Sequence, residues 1–116
     1  EGIYEPLVAR LGEAVRALAV GPADDPDTVV PAVIDAEARD RIRDYQRVAE
    51  SEGRVVARID VAALEPRGNY VGPLIVADVR PEARIAREEV FGPILAVLKA
   101  RDLDDALAIA NGTDYA

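Results

Sequence analysis

The chain has 116 residues, half of them apolar, which fits one domain of ordinary size with a real core. Its formal net charge of −8 argues against a nucleic-acid partner or an anionic membrane, because both would require clustered positive charge. Cys and His are both absent, so the chain has no thiolate nucleophile and lacks the commonest metal ligand and general base.

The apolar runs of the sequence and its first residues indicate where the protein is found in the cell and whether it is part of a longer chain. No run is long enough to span a bilayer, and no signal-peptide pattern opens the chain, so we expect a cytoplasmic protein. The sequence also contains no Met, and its first residues already follow a helical pattern. These features favour a segment of a longer protein over a chain with a trimmed terminus.

The first half of the sequence predicts two helices. Apolar residues at three- and four-residue steps predict a helix over about 4–19 that ends before Gly21. Its apolar face comprises Ile3, Leu7, Leu11, Val15 and Leu18. Asp35 is typical of the N-cap of a second helix, which Gly53 would end. The apolar stripe of that helix comprises Ala38, Ile42, Tyr45 and Ala49.

The second half predicts three strands, a short helix and a last helix. Strand patterns occupy 55–59, 70–76 and 94–99, with a connection over 64–69 and a break in the second strand at Pro73. Pro81 fits the first turn of a short helix, and Asp102 can cap the last one. The predicted buried side of that last helix is Leu103, Ala106, Leu107 and Ala110. We therefore expect an α/β fold, a small mixed sheet packed by helices, with apolar surface left for a missing partner.

Residues 88–93, with the sequence EEVFGP, are the strongest candidate for a functional site. A Glu pair such as Glu88 and Glu89 after Arg87 is most often a solvated turn. Phe91, however, is the only Phe in the chain and lies in a Gly-Pro-bounded turn. A lone aromatic there is either a core residue or one wall of a pocket for a planar ligand.

The same residues, extended to 95 as EEVFGPIL, resemble the Glu-Glu-Ile-Phe-Gly-Pro motif of the aldehyde dehydrogenase superfamily. Further resemblances occur in collinear order over nearly the whole chain, at 18–21 (LAVG), 33–35 (VID), 78–85 (DVRPEARI) and 104–115 (DDALAIANGTDY). Residues 70–75 and 78–85 look most like the branch that oxidises glutamate semialdehyde, the pyrroline-5-carboxylate dehydrogenases of proline catabolism. Two positions depart from the family pattern, since Pro31-Ala32 replaces Gly-Pro and Ala116 replaces the Gly after Tyr115.

The resemblance implies specific roles at the turn. Glu89 would bind the hydroxyls of the nicotinamide ribose of NAD or NADP, and Phe91 would pack beside the nicotinamide. Gly92 and Pro93 would shape the turn, or would only form the start of the following strand.

The resemblance also implies what residues 1–116 lack. The family's nucleophilic Cys, its general-base Glu and the Rossmann-type half that holds most of NAD all precede the matching segment. We therefore expect no catalytic residue, no metal and no tightly bound cofactor in this single segment of a catalytic domain, which would be inactive alone. Its expected partners are the remainder of the parent enzyme and further copies of it in a homo-oligomer, with no nucleic acid and no membrane.

Two other interpretations remain open from the sequence. One is a stand-alone, non-catalytic interaction domain derived from the same fold. The other is a generic acidic α/β domain whose match to the motifs is a coincidence. A Cys shortly upstream in the full coding sequence would favour the enzyme over the interaction domain.

Overall fold

The computed structural model describes residues 2–113 and 115. Its elements follow the predicted order of helix, helix, strand, strand, short helix, strand and helix. The helices are α1 (Tyr4–Arg16), α2 (Ala36–Glu52), α3 (Arg84–Arg87) and α4 (Leu103–Ala110), and the strands are β1 (Arg54–Arg58), β2 (Leu74–Ala77) and β3 (Ile94–Ala96). A 3₁₀ helix, Ala62–Arg67, occupies most of the predicted connection between β1 and β2.

The three strands form a mixed sheet, as the sequence predicts. β2 lies in the centre, antiparallel to β1 and parallel to β3. All four residues of β2 are buried, so the sheet is covered on both faces at its centre. The pairing of β1 shifts register between Val55 and Ala57, which breaks the predicted alternation and leaves Val55 exposed.

Helix α2 packs against the sheet and matches its prediction closely. The Asp35 carboxylate accepts a hydrogen bond of 2.7 Å from the backbone N–H of Ala38, as expected of an N-cap. Its buried residues are Ile42, Gln46 and Ala49. The sequence pattern missed Gln46, whose buried amide is satisfied because it donates to the Gly72 carbonyl at 2.7 Å.

The second strand is shorter than its apolar run. Residues 70–77 are all buried, but regular pairing begins only at Leu74. Pro73 has no N–H to donate, so the predicted break in pairing is confirmed at this point. The third strand likewise ends at Ala96 rather than Lys99, and α3 begins at Arg84 because Ala83 is extended.

The last residue of α1 and the burial of its apolar face differ from the prediction. The helix ends at Arg16 instead of Ala19, because the chain must become extended before Val20 forms a parallel bridge with Val30. Its buried residues are Val8 and Gly12, whereas Ile3 is 76% exposed. The predicted apolar face is therefore only partly covered.

The predicted buried side of α4 is wrong. Leu103 is 73% exposed and Leu107 is 52% exposed, and within residues 2–113 no element covers them. The periodicity correctly placed these residues on one face, but that face has no neighbour here to pack against. None of the described helices is both long and apolar enough to cross a membrane.

Candidate functional site

The candidate turn, residues 88–93, connects α3 to β3 and is attached to the fold at both ends. At its start, the backbone N–H of Glu88 donates to the Arg84 carbonyl at 3.0 Å. At its end, the Pro93 carbonyl accepts a hydrogen bond of 2.9 Å from the backbone N–H of Leu74 in the central strand. The turn is thus attached to the buried central strand and is not a free loop.

Glu88 is bound within the protein through one carboxylate oxygen, Oε2, and its side chain is 40% exposed. Its carboxylate accepts hydrogen bonds from the Tyr45 hydroxyl at 2.5 Å and from Arg84 Nε at 2.7 Å. The Arg84 guanidinium also lies 4.8 Å from the centre of the Tyr45 ring, within the range of a cation–π contact. The hydrogen bond from Tyr45, followed by that from Arg84, lowers the pKa of Glu88, so the carboxylate is ionised at neutral pH.

The next two contacts of the turn with α2 involve alternate residues. The Arg41 guanidinium donates a hydrogen bond to the Val90 carbonyl. A Cβ atom placed on Gly92 would lie only 2.7 Å from Cγ1 of Ile42, a fully buried residue of α2. Gly92 is therefore required here for close approach, since any larger residue would displace the turn or the helix.

The two residues that the resemblance singled out, Glu89 and Phe91, are both exposed. Phe91 has 75% of its surface exposed and a left-handed φ of 48°, which is uncommon for a residue with a side chain. Within residues 2–113 and 115, no side chain or backbone group donates a hydrogen bond to the Glu89 carboxylate, and none forms an ion pair with it. The two acids of the pair therefore differ. Glu88 accepts hydrogen bonds from protein side chains, and Glu89 accepts none within the described residues.

The surface around the turn is open. Gly92 and Pro93 line a shallow apolar groove of about 230 Å³, which also includes residues from the end of α1, from β2 and from β3. Glu89 and Phe91 do not line this groove. Their side chains lie on an open surface and are not enclosed by a pocket. In the part of the chain that the structure describes, no group of three or more acidic side chains is placed to hold a metal ion.

The residues that hold the turn were not found from the sequence. The sequence pattern places Tyr45 only in the apolar stripe of α2 and gives no signal at Arg41. The spacing of Arg84, the first residue of α3, and Glu88, which follows its last residue, is the local signal of this ion pair. Tyr45 lies 43 residues from Glu88, so their contact depends on the packing of α2 against the turn.

Comparison with known protein families gives a match along the full chain. A family model described as "Aldehyde dehydrogenase family" matches residues 1–116. The 1-pyrroline-5-carboxylate dehydrogenase of Geobacillus sp. (strain WCH70) is 38% identical over 115 residues. These residues make up 99% of this chain and 22% of that protein, so the chain spans well under half of the relative's length.

Solved structures give the same result. Proline utilization A from Bdellovibrio bacteriovorus, inactivated by N-propargylglycine, is similar with a TM-score of 0.93 and 36% identity, over 100% of this chain and 12% of that one. A 1-pyrroline-5-carboxylate dehydrogenase from Thermus with bound NAD is similar with a TM-score of 0.82 and 33% identity, over 97% of this chain and 21% of that one.

Proposed function

Because the chain belongs to the aldehyde dehydrogenase family, we propose that its exposed turn forms the nicotinamide-ribose wall of an NAD(P)-dependent aldehyde dehydrogenase. The observation that carries this proposal is the exposed Glu89 carboxylate, without a partner among the described residues, beside the exposed Phe91 ring. The proposed substrate is glutamate semialdehyde, in equilibrium with pyrroline-5-carboxylate, which is oxidised to glutamate in proline catabolism. The names of the Geobacillus and Thermus relatives support this choice of substrate.

The residues of the turn fit the chemistry of this cofactor. An ionised carboxylate can accept hydrogen bonds from two neighbouring ribose hydroxyls, and Glu89 has no competing donor among the described residues. The exposed ring of Phe91 offers an apolar face to a planar ring. When bound, the nicotinamide group would accept a hydride from the substrate. This chain's residues would orient the ribose and shield one side of the ring from water.

The remaining parts of the site are proposed to lie in the rest of a longer enzyme. Thioester chemistry requires a thiolate, and this chain has neither Cys nor His. We therefore propose that residues 1–116 are one segment of the catalytic domain and that they have no dehydrogenase activity alone. A cytoplasmic location and a homo-oligomeric enzyme belong to the same proposal, and both rest on the family resemblance.

Substitution of Glu89 in the full-length enzyme that carries this chain tests the proposed role. We expect Glu89→Gln to lower kcat/KM for NAD by roughly ten- to hundredfold, because hydrogen bonds to a charged acceptor are each strong. The matched control is Glu82→Gln, which changes another exposed Glu of the same part of the chain and should leave the kinetics unchanged. Steady-state formation of NADH measures both.

Two outcomes would contradict the proposal. Wild-type kinetics for the Glu89→Gln enzyme would remove the cofactor role of the turn. A full coding sequence that contains no Cys upstream of residue 1 would instead favour the non-catalytic interaction domain.

A further inference from the structure

Three contacts of the turn involve every second residue, and the Pro93 carbonyl adds a hydrogen bond with the central strand. Glu88 is bound by Tyr45 and Arg84, the Val90 carbonyl is bound by Arg41, and Gly92 packs on Ile42. The residues between these contacts, 89 and 91, are exposed. Glu88 and Gly92 are also exposed, so their contacts and not their burial set them apart. The backbone at Glu88 is extended, with φ −101° and ψ 144°, which places successive side chains on opposite sides. Contacts at 88 therefore determine where residue 89 is presented.

The contacts of the turn with α2 come from a single face of that helix. Tyr45 lies four residues after Arg41 and three after Ile42, so its side chain is a neighbour of both on the helix surface. Because Ile42 is fully buried, the helix cannot rotate or shift at this point without disturbing the core. A fixed helix that binds the turn at alternate residues limits the movement of the turn relative to the sheet.

Of the three contacts, at Glu88, Val90 and Gly92, the one at Glu88 is the most polar. It involves three side chains that all contact one another. Tyr45, Arg84 and Glu88 each contact the other two, since Arg84 donates both to Glu88 at 2.7 Å and to the Tyr45 hydroxyl at 3.3 Å. The hydrogen bond to Glu88, followed by burial, raises the pKa of the Tyr45 phenol, so this group remains a donor at neutral pH. The three side chains form a partly exposed cluster that attaches the first acid of the pair to α2 and α3.

We propose that Tyr45 and Arg84 are positioning residues, which bind Glu88 and thereby present Glu89 to the ribose hydroxyls of the cofactor. The inference rests on the proposed function, because it requires Glu89 to bind the cofactor. The two acids of the motif then have different tasks. Glu88 attaches the turn to α2 and α3, and Glu89 accepts hydrogen bonds from the ligand.

Tyr45→Phe in the full-length enzyme tests this inference, because it removes one hydroxyl and keeps the ring in place. We expect an increase of about three- to tenfold in KM for NAD and a similar decrease in kcat, which corresponds to the loss of one hydrogen bond. The matched control is Tyr4→Phe. The Tyr4 hydroxyl also makes hydrogen bonds, to the backbone of Asp78 and Val97, but it lies away from the turn. Tyr4→Phe should therefore leave KM for NAD unchanged.

The decisive measurement is the double variant with Glu89→Gln. If Tyr45 acts through Glu89, Tyr45→Phe has no further effect once Glu89 can no longer bind the ribose. Multiplicative effects of the two changes, or wild-type kinetics for Tyr45→Phe alone, would overturn the positioning role. If Glu89→Gln alone leaves the kinetics unchanged, the proposed function itself fails, and with it this inference. The single and double variants thus distinguish the two failures.

Discussion

At the scale of single residues, Gly92 has little freedom to change. Its Cα faces Ile42 so closely that an added Cβ would lie 2.7 to 2.8 Å from three carbon atoms of that side chain. Ile42 is fully buried, and it can give way only by disturbing its own packing. Gly92 therefore sets the distance between the turn and α2.

Gly92→Ala should lower the free energy of unfolding of the chain by about 1–3 kcal/mol, the usual cost of overpacking a well-packed contact. Gly2→Ala is the matched control, because a Cβ there would meet no atom within 4 Å. Urea denaturation of the two variants and the wild type measures the difference. Equal stability of the two variants would show that the turn does not pack on Ile42 as described.

The sequence resemblance selects Glu89 and Phe91 as candidate site residues, but it does not find the residues that bind the turn to α2. The motif EEVFGP is contiguous, so a resemblance to a known family is enough to select these two positions. The distinction between Glu88 and Glu89 depends on Tyr45, 43 residues away, and this contact exists only after α2 has packed beside the turn. Similarly, nothing in the residue type of Phe91 predicts its left-handed φ of 48°.

At the scale of elements, the sequence predicts where α2 and α4 begin better than it predicts which residues pack against a helix face. The N-caps of α2 and α4 are both Asp residues whose side chains accept a hydrogen bond from a backbone N–H three residues later. That interaction is local, so the sequence contains all of it. What covers a helix face depends on distant parts of a chain, and the predicted burial of Leu103 and Leu107 was wrong for this reason.

The combined substitution Leu103→Glu and Leu107→Lys tests whether the exposed face of α4 contributes to stability. It preserves the net charge and places opposite charges four residues apart, with the acid in the first turn of the helix. We expect the free energy of unfolding to change by less than about 1 kcal/mol, because both side chains are mostly exposed. Self-association of the chain, measured by sedimentation, should decrease.

Ile42→Ala provides the contrast for the α4 substitution. The side chain of Ile42 is fully buried, so its truncation should cost about 2–5 kcal/mol. A loss of similar size for the α4 double variant would mean that its apolar face is packed within the chain. That result would contradict the exposure of Leu103 and Leu107.

At the scale of the whole molecule, the element order and the mixed sheet followed from the sequence, but the links between distant elements did not. Helix α1 is attached to the sheet through Tyr4, whose hydroxyl accepts from the backbone N–H of Asp78 at 2.8 Å. Arg54 at the start of β1 donates to the Asp78 carboxylate at 2.6 Å and lies 3.3 Å from Glu5 of α1. These contacts join residues 24 to 74 positions apart, so no local pattern contains them.

The Asp78 contact should make the stability of the whole chain depend on pH in a defined direction. The hydrogen bond from Arg54 is the main cause that lowers the pKa of Asp78 below its ordinary value of 3.8. The folded state therefore binds this proton less readily than the unfolded state. The stabilisation is fully present above the ordinary pKa and is lost as the pH falls through the lowered pKa of the folded state.

Asp78→Asn isolates this contribution. Asp78 has a left-handed φ of 59°, a conformation that Asn also tolerates, so the backbone should be preserved. We expect the variant to be less stable than the wild type at neutral pH and the difference to disappear below the lowered pKa of Asp78. Added salt should also reduce the difference, because the pair is partly exposed. Urea denaturation at a series of pH values measures it, with Asp24→Asn in an exposed loop as the control. A stability difference that persists unchanged at acidic pH would show that the carboxylate charge is not what links β1 to the end of β2.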